Sequence, residues 1–214
     1  MKMFNSILAL SLMATASVCR AQLTFSGPAT LGSITSSATV SPAPIITITS
    51  PATGINLTGD FYITTAGNTT GNMITWNVDR PISGTSGPFN MTTIYTGFTS
   101  MTGPGTNVLT SGVMESHIYN GGAVVPGTSS SITFSQSGLL TNYSLSNTVA
   151  VTGYTFTPGD TLRLQYFVDL NYVGPGAVYD INFPAETVVT ALPEPTSAML
   201  VLGGMAMLAA RRRR

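Results

Sequence analysis

His117 is the sole histidine of this 214-residue chain, so any Ser-His-Asp device must run through it. It sits in Met114-Glu115-Ser116-His117-Ile118-Tyr119. On an extended strand Glu115 and His117 fall on the same side, the arrangement in which an acid orients an imidazole. No Gly-x-Ser-x-Gly elbow adjoins an apolar strand, and a lone strand histidine is more commonly a surface residue. Paired carboxylates would be the alternative catalytic device, that of a glycosidase. Asp169 and Asp180 fall on late strands, and Asp160 opens the strand before Asp169.

The same three acids, Asp160, Asp169 and Asp180, are calcium candidates. Counted from Asp169, the stretch Asp169-Leu170-Asn171-Tyr172-Val173-Gly174 sets oxygen ligands at positions 1 and 3 and a glycine at 6. Asp180 then falls at position 12, the order of an EF-hand loop. Val173 at position 5 has no side-chain oxygen and the flanks read as strands, so the EF-hand match is accidental. A different oxygen-only calcium site stays a candidate, and no other cofactor is expected. Trp76 and the tyrosines form the pool that could stack on sugars. Most lie in alternating runs suited to core packing or cross-strand pairing. Trp76, and Tyr172 beside the Gly174-Pro175-Gly176 turn, are the candidates for glycan contact. Asn56, Asn68, Asn90 and Asn142 satisfy Asn-x-Ser/Thr, but so Thr-rich a chain yields sequons by chance.

The elements that must position these residues read as strands. Apolar residues alternate with Thr or Ser over Ile45–Thr49, Phe61–Thr65, Met73–Val78 and Met91–Tyr95. After a looser middle come Ser131–Phe134, Thr148–Phe156, Leu162–Val168 and, closing the domain, Ala177–Phe183. Thr is β-branched and suits a pleated, half-exposed surface, whereas the helix formers Glu, Lys and Arg are nearly absent. Asn120-Gly121-Gly122, Pro158-Gly159-Asp160 and Gly-Pro-Gly triplets at 103–105 and 174–176 punctuate the strands. Short strands without crossover helices predict an all-β, antiparallel β-sandwich or jelly-roll-like domain over residues 22–192. Residues 22–44, rich in Ser, Thr, Ala and Pro, are expected as a loose lead-in or a first strand. No repeat of fixed period is present, which disfavours a solenoid or propeller.

Both ends depart from this pattern. Met1–Ala21 has the form of a secretory signal helix: Lys2, an apolar core over Ile7–Ala16, and small residues leading to a cut after Ala21. At the other end, Pro193-Glu194-Pro195 holds the chain extended, and Thr196–Ala210 is a 15-residue uncharged run followed by Arg211, Arg212, Arg213 and Arg214. That run reaches about 22 Å as a helix, short for a stable span. The arginines stop transfer and stay cytoplasmic, which leaves everything before Pro193 outside. The stretch 193–214 resembles the PEP-CTERM sorting signal of Gram-negative bacteria, with the same three parts in the same order. Pro193, Glu194 and Pro195 match the family's tripeptide, and Arg211–Arg214 match its basic tail. The resemblance covers about a tenth of the chain. It implies recognition by an exosortase after passage through the Sec translocon and cutting by signal peptidase. It also implies a transient stop in the inner membrane, cleavage near the tripeptide and delivery to the outer surface or extracellular matrix. The family's association with exopolysaccharide enters the same way.

Without the two ends the composition changes. Residues 22–192 keep only Arg80 and Arg163 against Asp60, Asp79, Glu115, Asp160, Asp169, Asp180 and Glu186, a net charge of −5. Two cations give no footprint for nucleic acid. The only cysteine, Cys19, leaves with the signal, so no disulfide, thiol nucleophile or cysteine metal site is expected in the domain. The leading expectation is a non-enzymatic, exported envelope or matrix protein. A carbohydrate-binding module with a polysaccharide partner is the alternative, and a glycoside hydrolase or lyase the third reading.

Overall fold

The structure is a computed structural model. It describes residues 23–32, 34–36, 45–64, 69–84, 87–102, 106–107, 111–136, 138–173, 178–182 and 184–192. Ala21, the signal helix, the Pro193-Glu194-Pro195 motif, the membrane segment at 196–210, Arg211–Arg214 and both Gly-Pro-Gly triplets lie outside the described residues. Among the described residues every regular element is a strand, and every pairing is antiparallel.

In chain order, β1 (Thr24–Phe25), β2 (Thr30–Leu31) and β3 (Thr35–Ser36) are short; β4 (Ile45–Thr49) is followed by the long strands β5 (Gly54–Thr64), β6 (Thr69–Gly84) and β7 (Phe89–Thr102). Then come β8 (Thr106–Asn107), β9 (Ser111–Asn120), β10 (Ala123–Val124), β11 (Ser130–Ser135) and β12 (Leu140–Val151). β13 (Thr161–Val173), β14 (Val178–Asn182) and β15 (Ala185–Ala191) complete the domain. Sheet one is centred on β6-β13-β9. β1 to β3 lie along β6, β8 sits at the end of β13, and β10 and β11 lie on β9. Sheet two runs β12-β7-β14-β5, with β15 between β7 and β5 beyond the end of β14 and β4 on the far side of β5.

One face of each central strand is apolar, and the two apolar faces meet. Ile74, Trp76 and Val78 of β6, Leu162, Leu164, Tyr166 and Val168 of β13, and Met114 and Ile118 of β9 line it from sheet one. Ile55, Leu57, Phe89, Met91, Tyr95, Ile181 and Val189 line it from sheet two. Small polar residues join across the layers: Ser116 Oγ lies 2.6 Å from Thr187 Oγ1, and Thr93 Oγ1 donates to Ser130 O at 2.9 Å. These hydroxyls have partners, so their burial is not left uncompensated.

Two expectations are corrected. The domain does not close at Phe183. Pro184 breaks the path, and Ala185–Ala191 resumes as an interior strand whose Ala185, Thr187 and Val189 are buried. The looser middle contains β9, a central strand of sheet one. Of residues 22–44, expected as a loose lead-in or a first strand, the described part is docked: Leu23 and Ala29 are core residues, and β1 to β3 pair with β6.

Arg80 fastens that docking. Its Nε donates to Gly27 O at 3.1 Å, Nη1 donates to Pro51 O and Gly54 O, and its guanidinium stacks 3.9 Å over Phe25. Turn chemistry follows the sequence. Gly121 and Gly122 both have positive φ, +56° and +91°, as a two-residue hairpin from β9 to β10 requires.

Candidate functional site

The outward face of sheet one carries a grid of side chains fixed by strand register. The first row is Met73, Asp169, Ser111 and Ser135, and the second is Thr75, Phe167, Val113 and Thr133. A third row holds Asn77, Gln165, Glu115 and Ser131, and a fourth holds Asp79, Arg163 and His117. Residues two apart along a strand share a face at about 6.6 Å spacing, so these rows form one platform.

The first two rows form an open groove of about 500 Å³. Its lining is amphipathic: Met73, Val113 and Phe167 are apolar, Ser111, Thr133 and Ser135 bring hydroxyls, and Asp169 is its one carboxylate. Met73 is 53 % exposed and offers its apolar side chain to solvent at the groove. Asp169 Oδ1 is buried without a hydrogen-bond partner. Such an oxygen is costly to desolvate and accepts a donor readily.

The fourth row is closed on itself. Arg163 donates from Nε to Asp79 Oδ1 at 2.6 Å and from Nη2 to Asp79 Oδ2 at 2.7 Å, a bidentate pair. Asn77 Nδ2 donates to Asp79 Oδ2 at 2.9 Å, and the Arg163 guanidinium lies 3.6 Å over the Tyr119 ring. His117 Nδ1 is 3.4 Å from Glu115 Oε1. The acid and the imidazole share a strand face, as their spacing predicts. The expectation of a surface histidine is corrected, because His117 is 1 % exposed. Burial lowers its pKa; Arg163 adds to the shift, while Glu115 and Asp79 oppose it. The neighbouring Ser116 hydroxyl turns to the core and Thr187, on the opposite face from the imidazole, so these two do not form a nucleophile and base.

The other candidates disperse. Trp76 is not a glycan contact: it is 1 % exposed and stacks on Tyr166 at 4.5 Å inside the sandwich, because β6 turns its even-numbered residues inward. Tyr172 belongs to β13 rather than to a loop, its backbone opposite Asn107 and Thr69. Asp160 is 2 % exposed and fully engaged. Its carboxylate accepts from Asn120 Nδ2 at 2.6 Å, from Thr157 N at 2.8 Å and from the Tyr154 hydroxyl. It stabilises the Pro158-Gly159 turn, where Gly159 has φ +96°.

Asp169 lies nine strand residues further on, about 30 Å at strand rise. Asp180 faces outward from sheet two beside Asp60, where burial, with Asp60 adding, raises its pKa. Asp160, Asp169 and Asp180 therefore do not gather around one ion, and Asp169 and Asp180 do not form an acid pair. Among the described residues no group of three or more His, Cys, Asp or Glu is placed to hold a metal.

No family model matches this chain, and no curated protein matches it. Among solved structures it is similar to TmCBM61 in complex with β-1,4-galactotriose, at 8 % identity and a TM-score of 0.33, covering 79 % of this chain and 91 % of that one. It is also similar to the family 11 carbohydrate-binding module from Clostridium thermocellum in complex with a β-1,3-1,4-mixed-linked tetrasaccharide. There the identity is 11 %, the TM-score 0.29, and the coverage 79 % of this chain and 94 % of that one. A third is the enzymatically active domain of bacteriophage CBA120 tailspike protein 4, at 13 % identity and a TM-score of 0.31, covering 78 % of this chain and 20 % of that one. Identities this low leave the reading of the site to its own geometry.

The groove was missed in the sequence, though a signal existed. Met73, Val113 and Phe167 are apolar residues out of phase with the core-facing set, each next to an inward residue on its strand.

Proposed function

We propose that residues 23–192 form a non-enzymatic glycan-contacting domain, exported and sorted to the cell envelope or matrix through the PEP-CTERM-like tail. The amphipathic groove at Met73, Phe167 and Asp169 carries this reading. A sugar ring offers an apolar C–H face and a rim of hydroxyls. Phe167, Val113 and Met73 supply a surface for the first, while the Asp169 carboxylate and the serine and threonine hydroxyls supply partners for the second. The amides of Asn77 and Gln165 extend the polar surface by one row. The groove's single carboxylate supports binding over hydrolysis, since glycosidases flank the scissile bond with two.

A polysaccharide pull-down with the exported chain tests the reading. Phe167→Ala is expected to weaken retention on a neutral glycan about tenfold or more with an unchanged circular dichroism spectrum. Retention on no glycan, or retention indifferent to Phe167→Ala, would sink the groove. Mass spectrometry of the same exported chain tests the route: its C-terminus should lie near Pro195. A C-terminus still carrying Arg211–Arg214 would contradict processing.

A further inference from the structure

Asn120 is the only asparagine of the chain that is followed by glycine. It ends β9, and Gly121 and Gly122 turn the chain into β10, where Ala123 lies opposite it. Asparagine is a thermolabile residue, and in this dipeptide the reason is concrete. The backbone nitrogen of the next residue can close on the side-chain carbonyl carbon, and glycine sets no Cβ in its way. Gly121 is exposed, and even a Cβ built on it would meet nothing within 4 Å.

The fold holds that carboxamide elsewhere. Asn120 Nδ2 donates to Asp160 Oδ1 at 2.6 Å, and Asn120 Oδ1 lies 3.8 Å from where a Cβ on Gly159 would stand. The amide thus rests on the Pro158-Gly159-Asp160 turn, and closing on Gly121 requires it to leave Asp160. Asp160 Oδ2 meanwhile accepts from Thr157 N and the Tyr154 hydroxyl, and the Tyr154 ring packs edge-on against Phe89 in the core at 5.6 Å. Asn120 is therefore the third donor to a buried carboxylate, and the one that ties the β9–β10 hairpin to it.

We infer that Asn120 is a self-modification site, a deamidation latch whose amide form fastens the hairpin to the Asp160 turn and whose acid form releases it. Gly121 N bonds to Asn120 Cγ, the Cγ–Nδ2 bond breaks, and ammonia leaves with the proton of the Gly121 amide. Water then opens the cyclic imide at either carbonyl, giving aspartate or, with the backbone rerouted through the side chain, isoaspartate. Either product removes a donor from Asp160 and adds a carboxylate beside it, which like charge and desolvation both oppose. The folded chain resists the reaction until the hairpin opens locally, and after the reaction the hairpin no longer closes on Asp160.

Peptide mapping by mass spectrometry of the exported chain, incubated in warm, mildly alkaline buffer with and without urea, tests the site. Conversion is expected at Asn120 ahead of every other asparagine, with isoaspartate detected by enzymatic methylation. It should be about tenfold or more slower in the native chain than in urea. Equal rates in the two, or earlier conversion at another asparagine, overturn the inference. The latch itself is read from stability. Asn120→Asp should lower Tm by about 5 °C or more. Adding Asp160→Asn exchanges acid and amide: the carboxamide now at 160 donates to the carboxylate at 120, and its oxygen still accepts from Thr157 N and the Tyr154 hydroxyl. Most of the lost Tm should return. An Asn120→Asp chain that melts with the natural one, or a double variant no more stable than Asn120→Asp alone, would equally overturn it.

Discussion

At the scale of single residues, His117 links burial to a pH effect whose sign can be worked out. Its ordinary pKa is 6.5, and burial holds the folded value below that despite Glu115 at 3.4 Å. Between the two values the unfolded chain binds a proton that the folded chain does not, so folding is favoured above 6.5 and loses stability as pH falls below it. The charged neighbours bearing on the ring are Glu115 on its own strand, Arg163 on β13 and, beyond it, Asp79 on β6. Arg163 and Asp79 are locked to each other, which leaves Glu115 as the charged neighbour nearest the imidazole. His117→Phe keeps a ring in the site and removes the proton. Melting curves from about pH 7 to about pH 5 should show a steeper fall in Tm for the natural chain than for His117→Phe. Parallel curves would mean that the imidazole does not report on folding.

At the scale of elements, sheet two depends on close backbone approaches that admit only glycine. A Cβ on Gly54 would lie 1.7 Å from Thr187 O on β15, the strand with which the start of β5 pairs. Gly54→Ala must push β15 aside, and β15 cannot move without disturbing Val189 and the Ser116–Thr187 contact. A loss of about 3 kcal/mol by urea unfolding is expected. Gly27→Ala, whose Cβ would meet nothing within 4 Å, should cost less than about 0.5 kcal/mol. Equal costs for the two would remove the steric account of β15.

The same strands show how far the sequence is readable. Ile45–Thr49 and Leu162–Val168 alternate cleanly and coincide with β4 and the middle of β13. Thr148–Phe156 is displaced, because β12 begins at Leu140 and ends at Val151. β9 and β15 are hidden because their core-facing positions include Gly112, Ser116, Ala185 and Thr187, whose burial is set by the opposing sheet and not by their own apolarity. The candidate site was less legible still. Phe167 and Val113 meet only because β13 and β9 pair in one register, and Trp76, the most conspicuous aromatic, is drawn inward by that same alternation.

At the scale of the whole molecule, both cations of the described domain are consumed. Arg80 is spent on the carbonyls of Gly27, Pro51 and Gly54, and Arg163 on Asp79, so neither offers a free charge to a ligand. The groove itself adds a carboxylate. A polyuronate or a nucleic acid would thus meet repulsion without compensation, and a neutral glycan would meet none. Apolar stacking and neutral hydrogen bonds are barely screened, whereas exposed ion pairs fade as the Debye length shrinks from about 10 Å at 0.1 M salt to about 3 Å at 1 M. Retention of a neutral glycan should therefore change less than about twofold across that range, and a polyuronate should not be retained at the low end. Retention of a polyuronate at low salt that disappears at high salt would locate the ligand contact on a cationic surface outside Arg80 and Arg163. The arginines at 211–214 would then be its source, and the tail would take part in binding as well as delivery.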